Sequence, residues 1–332
     1  MRIRHLTWLP SCYTIPGMNS TTRYSGSPIL CIGNVSVDIK AFSDEDVSVE
    51  AYREGSVDLV PGGVARGMAL NLAHLGFKTA ILSAVGNDIF GSYLRDGLEK
   101  ENIDTELLST SRTRKTALFS VLSSASHPAS CVYCTDILGE IAVTKQVNDY
   151  IEKKHVSVFV LDSNPTAETL GNIYDLKKKN SDIFIFQNAT APDLAAKSLP
   201  WAHLIDLFAC NEFEAGAILG TPADPVPETA EKFRSLGFRS FIITFGERGV
   251  MVSIGDELWN EPPYTPVRIV DTIGAGDAFA SGFLAGYLEG SPVKTCIHYG
   301  LSCARETLLT RETVSSLLSR EWLRTCTGPL VS

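Results

Sequence analysis

The residues best placed to do chemistry lie in Val270-Asp271-Thr272-Ile273-Gly274-Ala275-Gly276-Asp277-Ala278-Phe279, where an apolar run meets a Gly-Ala-Gly turn and then a stretch of small residues. Glycines at 274 and 276 permit turn conformations closed to other residues, so the N–H groups of Gly274, Ala275 and Gly276 can converge on one anion. A helix starting there adds its unpaired first-turn donors and the positive end of its dipole, which favour a phosphate or a developing oxyanion. Asp277 is out of place in a plain phosphate site, because its carboxylate would repel the ligand. A base that takes a proton from a hydroxyl attacking a phosphoryl group accounts for it, and the dipole predicts that it stays ionised. The same residues also suit a simpler role, a first-turn acid above a tight turn.

The elements that would position this turn follow from periodicity. Ile29 to Val37 reads as a buried first strand, and Asp38 falls at its carboxyl end, where ligand-binding acids sit in open parallel sheets. Residues 40 to 60 and about 110 to 135 look like strands outside the main sheet, the latter a hairpin of Thr116–Leu122 and Cys131–Tyr133. Pro61-Gly62-Gly63-Val64-Ala65-Arg66 opens a helix that stops at Gly76, followed by a strand over Thr79–Val85 and a helix through Leu98. From Val156 to Thr244 the chain alternates strands and helices, including helices over 191 to 199 and 212 to 219. Such alternation predicts right-handed crossovers and a mostly parallel sheet covered on both faces. An antiparallel passage is expected over Ile254–Val267, then helices from Asp277 and Pro292 and a terminal helix beyond Ser315.

At 332 residues with 44% hydrophobic content the chain can bury a large core. A net charge of −9 supplies no basic footprint for nucleic acid, and no apolar stretch reaches bilayer length, so neither nucleic acid nor membrane is an expected partner. The eight cysteines are scattered and read as reduced thiols of a cytoplasmic protein; Cys131-Val-Tyr-Cys134 lacks a second pair or a nearby histidine pair at zinc spacing. Residues 1 to 28 hold no acid and are read as a disordered extension, a start upstream of the true initiator Met18, or a mitochondrial transit segment.

Asp271-Thr272-x-Gly274-Ala275-Gly276-Asp277 resembles the signature of the ribokinase (PfkB) family of carbohydrate and nucleoside kinases. Further segments match in the same order. Asn211-Glu212-Phe213-Glu214 is similar to the family's Asn-x-x-Glu element, Thr244-Phe-Gly246-Glu-Arg-Gly249 to its nucleotide turn, and Gly62-Gly63-Val64-Ala65-Arg66 to its amino-terminal Gly-Gly signature, in the form most like pseudouridine kinases. The resemblance spans about residues 29 to 320 and implies a three-layer α/β/α ribokinase-like domain over 29 to 325 with a small β lid. It implies ATP and Mg2+, with K+ or another monovalent cation in some cases, and a small-molecule nucleoside or sugar as acceptor. Pseudouridine, phosphorylated on its 5′ hydroxyl, is the expected acceptor; another nucleoside or sugar, or a silent nucleotide-binding protein, is the alternative.

By the same resemblance Asp277 is the general base and Gly274, Ala275 and Gly276 the anion hole, Asp38, Gly62, Gly63 and Arg66 hold the acceptor, Asn211, Thr244, Gly246 and Gly249 the nucleotide, and Glu214 the magnesium through water. Thr116 and Asp136 are further candidates for reading a base, and a homodimer through the lid is possible. Two positions depart from the pattern: Gly67 stands where these kinases carry Asn, and Gln187-Asn188 where Asp-Pro is common, which predicts a weaker hold on the acceptor and near the phosphates.

Overall fold

The computed structural model describes residues 26–46, 52–124, 130–264 and 268–326, so the reading of residues 1 to 28 falls almost wholly outside the described residues. The chain opens with β1 (Ile29–Ile32), β2 (Ser36–Ser43), β3 (Ser56–Gly62), α1 (Val64–His74), β4 (Thr79–Gly86), α2 (Ile89–Lys100) and β5 (Leu108–Ser111). It continues through β6 (Ala117–Ser124), β7 (Ser130–Cys134), α3 (Lys145–Lys154), β8 (Val158–Leu161), α4 (Ala167–Lys179), β9 (Phe184–Asn188) and α5 (Pro192–Ala195). Next come β10 (Leu207–Asn211), α6 (Glu212–Leu219), α7 (Pro227–Ser235), β11 (Ser240–Thr244), β12 (Val250–Ile254), β13 (Glu257–Glu261), α8 (Ala275–Leu288), α9 (Val293–Leu308) and α10 (Arg320–Thr325).

Nine strands form one sheet in the order β13-β12-β11-β10-β9-β8-β1-β4-β5, parallel except for the β11-β12-β13 meander. Alternate residues of each strand enter opposite cores. Cys31, Val160, Phe186 and Ile242 pack under α1, α8 and α9, whereas Ile32, Phe159, Ile185 and Ile243 pack under α3, α4, α6 and α7. That division is the three-layer α/β/α arrangement expected from the alternating pattern. Helix α8 is buried along Ala278–Leu288, as a helix without a polar face must be. Its small residues let α9 approach closely, since a Cβ on Gly282 would lie 2.6 Å from the Tyr299 carbonyl.

A second, four-stranded sheet, β3-β2-β6-β7, forms the lid, with β2 parallel to β6 and the outer pairs antiparallel. Here the first-strand expectation needs correction. The chain leaves the central sheet at Gly33, at φ 145, and Ser36–Ser43 continues as a lid strand, so Asp38 belongs to the lid and not to the end of β1. The expected helix over 191 to 199 is one short turn followed by a 3-10 segment over Ala196–Leu204, which contains Pro200. The antiparallel passage starts earlier than expected, at Val250, and residues 265–267 of it lie outside the described residues. Helix α3 and strand β5 had no sequence-level counterpart: α3 buries only Val147 and Tyr150, and β5 is four mostly polar residues at the sheet edge.

Among the described residues every cysteine is free, no group of three or more His, Cys, Asp or Glu side chains is arranged to hold a metal, and no helix is long and apolar enough to cross a membrane. Cys131 and Cys134 are exposed positions of β7, an ordinary strand.

Candidate active site

The carboxyl ends of the central strands, the first turn of α8 and the inner face of the lid enclose two adjoining cavities. The larger, about 750 Å³, is lined by lid residues Asp38, Phe119 and Tyr133, by Gly62, Gly63 and Gly67, and by Asn164 and Lys197 from the central domain. The smaller, about 260 Å³, is lined by Asn188, Asn211, Glu214, Thr244 and Gly276. Asp277, Gly274, Ile273, Val64 and Thr190 line both, so Asp277 stands where the cavities meet.

Gly274 takes a left-handed conformation, φ 88, and caps α8 with its carbonyl, which accepts from Ala278 N–H at 2.9 Å. A Cβ there would overlap the Thr313 carbonyl, so only glycine fits. The N–H groups of Gly276 and Asp277 belong to the first turn and have no intrahelical acceptor. Ala275 N–H instead leans toward the Thr272 carbonyl at 3.4 Å.

Asp277 is not held ionised by the helix dipole. Burial, the buried Asp162 and Glu214 raise its pKa to about 8, opposed by the bond from Asn188. The Asn188 amide donates to Asp277 Oδ1 at 3.3 Å, and a Cβ on Gly67 would sit 3.1 Å from Oδ2. Both positions that depart from the family pattern therefore meet the same carboxylate. Gln187, in contrast, turns into the core, where it accepts from the Tyr174 hydroxyl at 2.7 Å and donates to Ser163 Oγ at 3.0 Å. Of the Gln187-Asn188 pair only Asn188 faces the site, because adjacent strand residues point to opposite faces.

Asp162 was not singled out in the sequence, although it follows strand β8 at the crevice end of the sheet. Fully buried, it accepts the N–H groups of Asn34 at 2.7 Å, Ala65 at 3.3 Å and Asn164 at 2.9 Å, which fastens the start of α1 below the cavity. Burial raises its pKa despite those bonds. Lys197 was also missed; its ammonium lies within 3.3 Å of the carbonyls of Ser163, Asn164 and Pro165 and brings a cation to the larger cavity.

Asn211 and Glu214 form a reciprocal cap at the start of α6. Asn211 Oδ1 accepts from Phe213 and Glu214 N–H, both at 2.9 Å, and Glu214 Oε2 accepts from Asn211 N–H at 2.8 Å. Glu214 is only 5% exposed, and burial raises its pKa. Glu214 raises the proton affinity of Asp277 across a small cavity that both acids line, and a divalent cation there would favour the charged form of both.

Thr244 borders the smaller cavity, but Gly246 and Gly249 do not; they shape the β11–β12 connection, where a Cβ on Gly249 would overlap the Glu261 carbonyl. Gly62 and Gly63 are close-packed already: a Cβ at 62 would overlap the Asp38 carboxylate and one at 63 the Asn34 carbonyl. Arg66 lines neither cavity and donates to the Pro61 carbonyl at 2.9 Å. Thr116 is buried, donates to Asp88 Oδ1 at 2.7 Å and lies outside both cavities, whereas Asp136 lines the larger one. Phe119 and Tyr133, opposite each other in the β6–β7 pair, stack with centroids 5.4 Å apart. The hairpin was visible in the sequence, but not the face it presents.

The profile of the pfkB family carbohydrate kinases matches residues 27–320. This chain belongs to that family. It is an ATP-dependent sugar or nucleoside kinase, and membership implies the use of ATP and Mg2+. Among its relatives, a cytidine kinase of Thermococcus kodakarensis is 29% identical over 84% of this chain and 95% of the relative. A pseudouridine kinase of Escherichia coli is 24% identical over 83% and 88%, and a ribokinase of Haemophilus influenzae 26% identical over 78% and 85%. The ribokinase of Arabidopsis thaliana, solved with ribose and ATP, shares the fold with a TM-score of 0.80 at 16% identity, covering 90% of this chain and 98% of that one.

Proposed function

We propose that this kinase transfers the γ-phosphoryl group of ATP to the 5′ hydroxyl of pseudouridine, giving pseudouridine 5′-phosphate and ADP. The observation that carries the reading is Asp277 at the junction of two cavities, one of which is roomy and fronted by a stacked aromatic pair. A pentose alone would leave the Phe119–Tyr133 platform bare, whereas a base can lie on it. Pseudouridine carries one more ring N–H than uridine, and the Asp136 carboxylate beside Tyr133 is an acceptor suited to it.

Asp38, on the lid strand facing the cavity, binds acceptor hydroxyls, with Gly62 and Gly63 keeping the neighbouring backbone close to it. The 5′ oxygen attacks the γ-phosphorus while its proton passes to the Asp277 carboxylate, and the bond to the β–γ bridging oxygen breaks to release ADP. Asn188 orients that carboxylate. The N–H groups at 276 and 277, with the dipole of α8, stabilise charge on the transferring group. Asn211 and Thr244 would border the nucleotide, and Glu214, which lines the same cavity, would hold magnesium through water. Magnesium, when bound, neutralises phosphate charge.

The outward face of the lid supports a homodimer. Ile39, Leu59, Ser120 and Val132 share it with Ala41, Val57, Leu122 and Ser130, without a charge among them, and Val57, Leu59 and Val132 are more than half exposed. An uncharged, exposed face of this kind suits a second copy, and Leu59→Glu is expected to halve the mass in solution. Dependence on a monovalent cation is tested by exchanging K+ for tetramethylammonium.

A second reading, a kinase of another nucleoside or of a free sugar, is favoured by the higher identity to the cytidine kinase. Product formation from ATP with pseudouridine, cytidine, uridine, adenosine and ribose decides between them. Transfer to cytidine or ribose but not to pseudouridine would replace the acceptor; binding of ATP without transfer to any would defeat the kinase reading of this site.

A further inference from the structure

Lys40 and Asp271 are 231 positions apart in sequence and form an ion pair, Nζ to Oδ2, at 2.7 Å. The pair is well shielded, with side chains 18% and 22% exposed. Lys40 lies two residues beyond Asp38 on β2, so both project from the same face of the lid. Asp271 begins the segment that becomes the anion turn, and its other oxygen, Oδ1, accepts from Ile273 N–H at 3.0 Å. That bond fixes the backbone one residue before Gly274. Burial works against the Asp271 carboxylate, yet the bonds from Lys40 and Ile273 hold its pKa below the usual value.

A second strut joins the same two regions. Thr313 Oγ1 donates to the Pro61 carbonyl of β3 at 3.1 Å, and the Thr313 carbonyl is the atom against which Gly274 packs. The lid thus reaches the anion turn by two routes, directly through the ion pair at 271 and indirectly through Thr313, which packs at 274.

Resting on the kinase reading of this site, we infer that Lys40 is a positioning residue for phosphoryl transfer: through Asp271 it sets the anion turn in register with the acceptor that Asp38 holds. One strand face then carries both the grip on the acceptor and the grip on the turn. A lid seated on the acceptor presents Lys40 to Asp271, and an open lid withdraws it, so the turn is best formed when a hydroxyl is there to receive the phosphoryl group.

The test compares wild type, Lys40→Met, Lys40→Arg, Asp271→Asn and the Lys40→Met/Asp271→Asn double variant, using whichever acceptor the wild type phosphorylates. Thermal melts establish that each is folded, and acceptor-free ATP hydrolysis is measured beside transfer. Lys40→Met is expected to lower kcat by about tenfold to a hundredfold, the scale of a misplaced reacting group, with KM for ATP changed by less than about twofold. Lys40→Arg should recover most of the loss. The double variant should be no worse than the more damaged single variant, because both break one interaction. The ratio of transfer to acceptor-free hydrolysis should fall in Lys40→Met. Unchanged kcat in folded Lys40→Met, losses that multiply in the double variant, or an unchanged ratio would overturn the inference. A wild type that phosphorylates no acceptor would instead defeat the kinase reading itself.

Discussion

The two cavities that meet at Asp277 are built by opposite strategies. The smaller, proposed to take the nucleotide, draws Asn188, Asn211 and Thr244 from the ends of three successive neighbouring strands, β9, β10 and β11, and adds the first turn of α8. The larger, proposed to take the acceptor, draws Asp38, Phe119 and Tyr133 from a separate sheet and is bounded by Lys197 and Asp277 from distant parts of the chain. One side is a rigid product of the parallel sheet. The other depends on how a second sheet sits over the first, which is where a family with one chemistry can vary its acceptors.

Substitutions at the junction should have the largest effects. Asp277→Asn is expected to lower turnover by at least about a hundredfold while ATP affinity is kept. It should also raise Tm. In the folded chain Asp277 keeps its proton up to about pH 8, but its ordinary value is 3.8. Between those values the native state binds the extra proton, so stability falls as pH rises, and the amide removes that dependence. The gain in Tm should therefore be larger at pH 8 than at pH 5; equal gains at the two pH values would mean the carboxylate is ionised throughout.

Next in size are paired changes that separate the two sides. Tyr133→Ala should raise the nucleoside KM by about tenfold, the scale of one lost base-stacking contact, with KM for ATP unchanged. Glu214→Gln should do the opposite, raising the magnesium concentration needed for half-maximal rate and leaving the acceptor KM alone. If either variant moves both constants together, the cavities are coupled more tightly than their construction suggests.

The pH profile gives a smaller, graded effect. The base must be unprotonated, so kcat/KM should climb through about pH 8 in the free enzyme, and kcat with saturating magnesium nucleotide should climb at lower pH because a nearby cation favours the carboxylate. A flat profile from pH 6 to 9 would remove Asp277 as the titrating base. Least damaging should be Gly67→Ala. Its methyl would press on Asp277 Oδ2 from 3.1 Å, and we expect a severalfold lower kcat with little change in acceptor KM.

Much of the nucleotide side was legible because its parts are local. Gly274 to Asp277 is a turn and a helix start, and Asn211 and Glu214 form a cap within four residues at the end of β10, a strand marked by an apolar run. The acceptor side was legible only in outline. Asp38 was picked out, but β1 and β2 read as one strand because nothing in Ile29–Val37 announces that Gly33 hands the chain to another sheet. Asp162 and Lys197 escaped notice because a single acid after a strand and a single lysine in a helical stretch are common, and only their neighbours distinguish them.

The sequence by itself determined the layered α/β fold, the phosphate turn and the acid within it, since periodicity, glycine spacing and helix polarity are properties of contiguous residues. Only the tertiary structure decided the proton affinity of Asp277. A helix N-terminus argues for an ionised carboxylate, but Asp162 after β8 and Glu214 in the first turn of α6 act on it, and burial beside two like charges outweighs the dipole. Likewise, that Gly67 and Asn188 meet on one carboxylate and that Lys40 meets Asp271 are facts of folding: residues far apart in the chain interact only where the sheets bring them within a few ångströms.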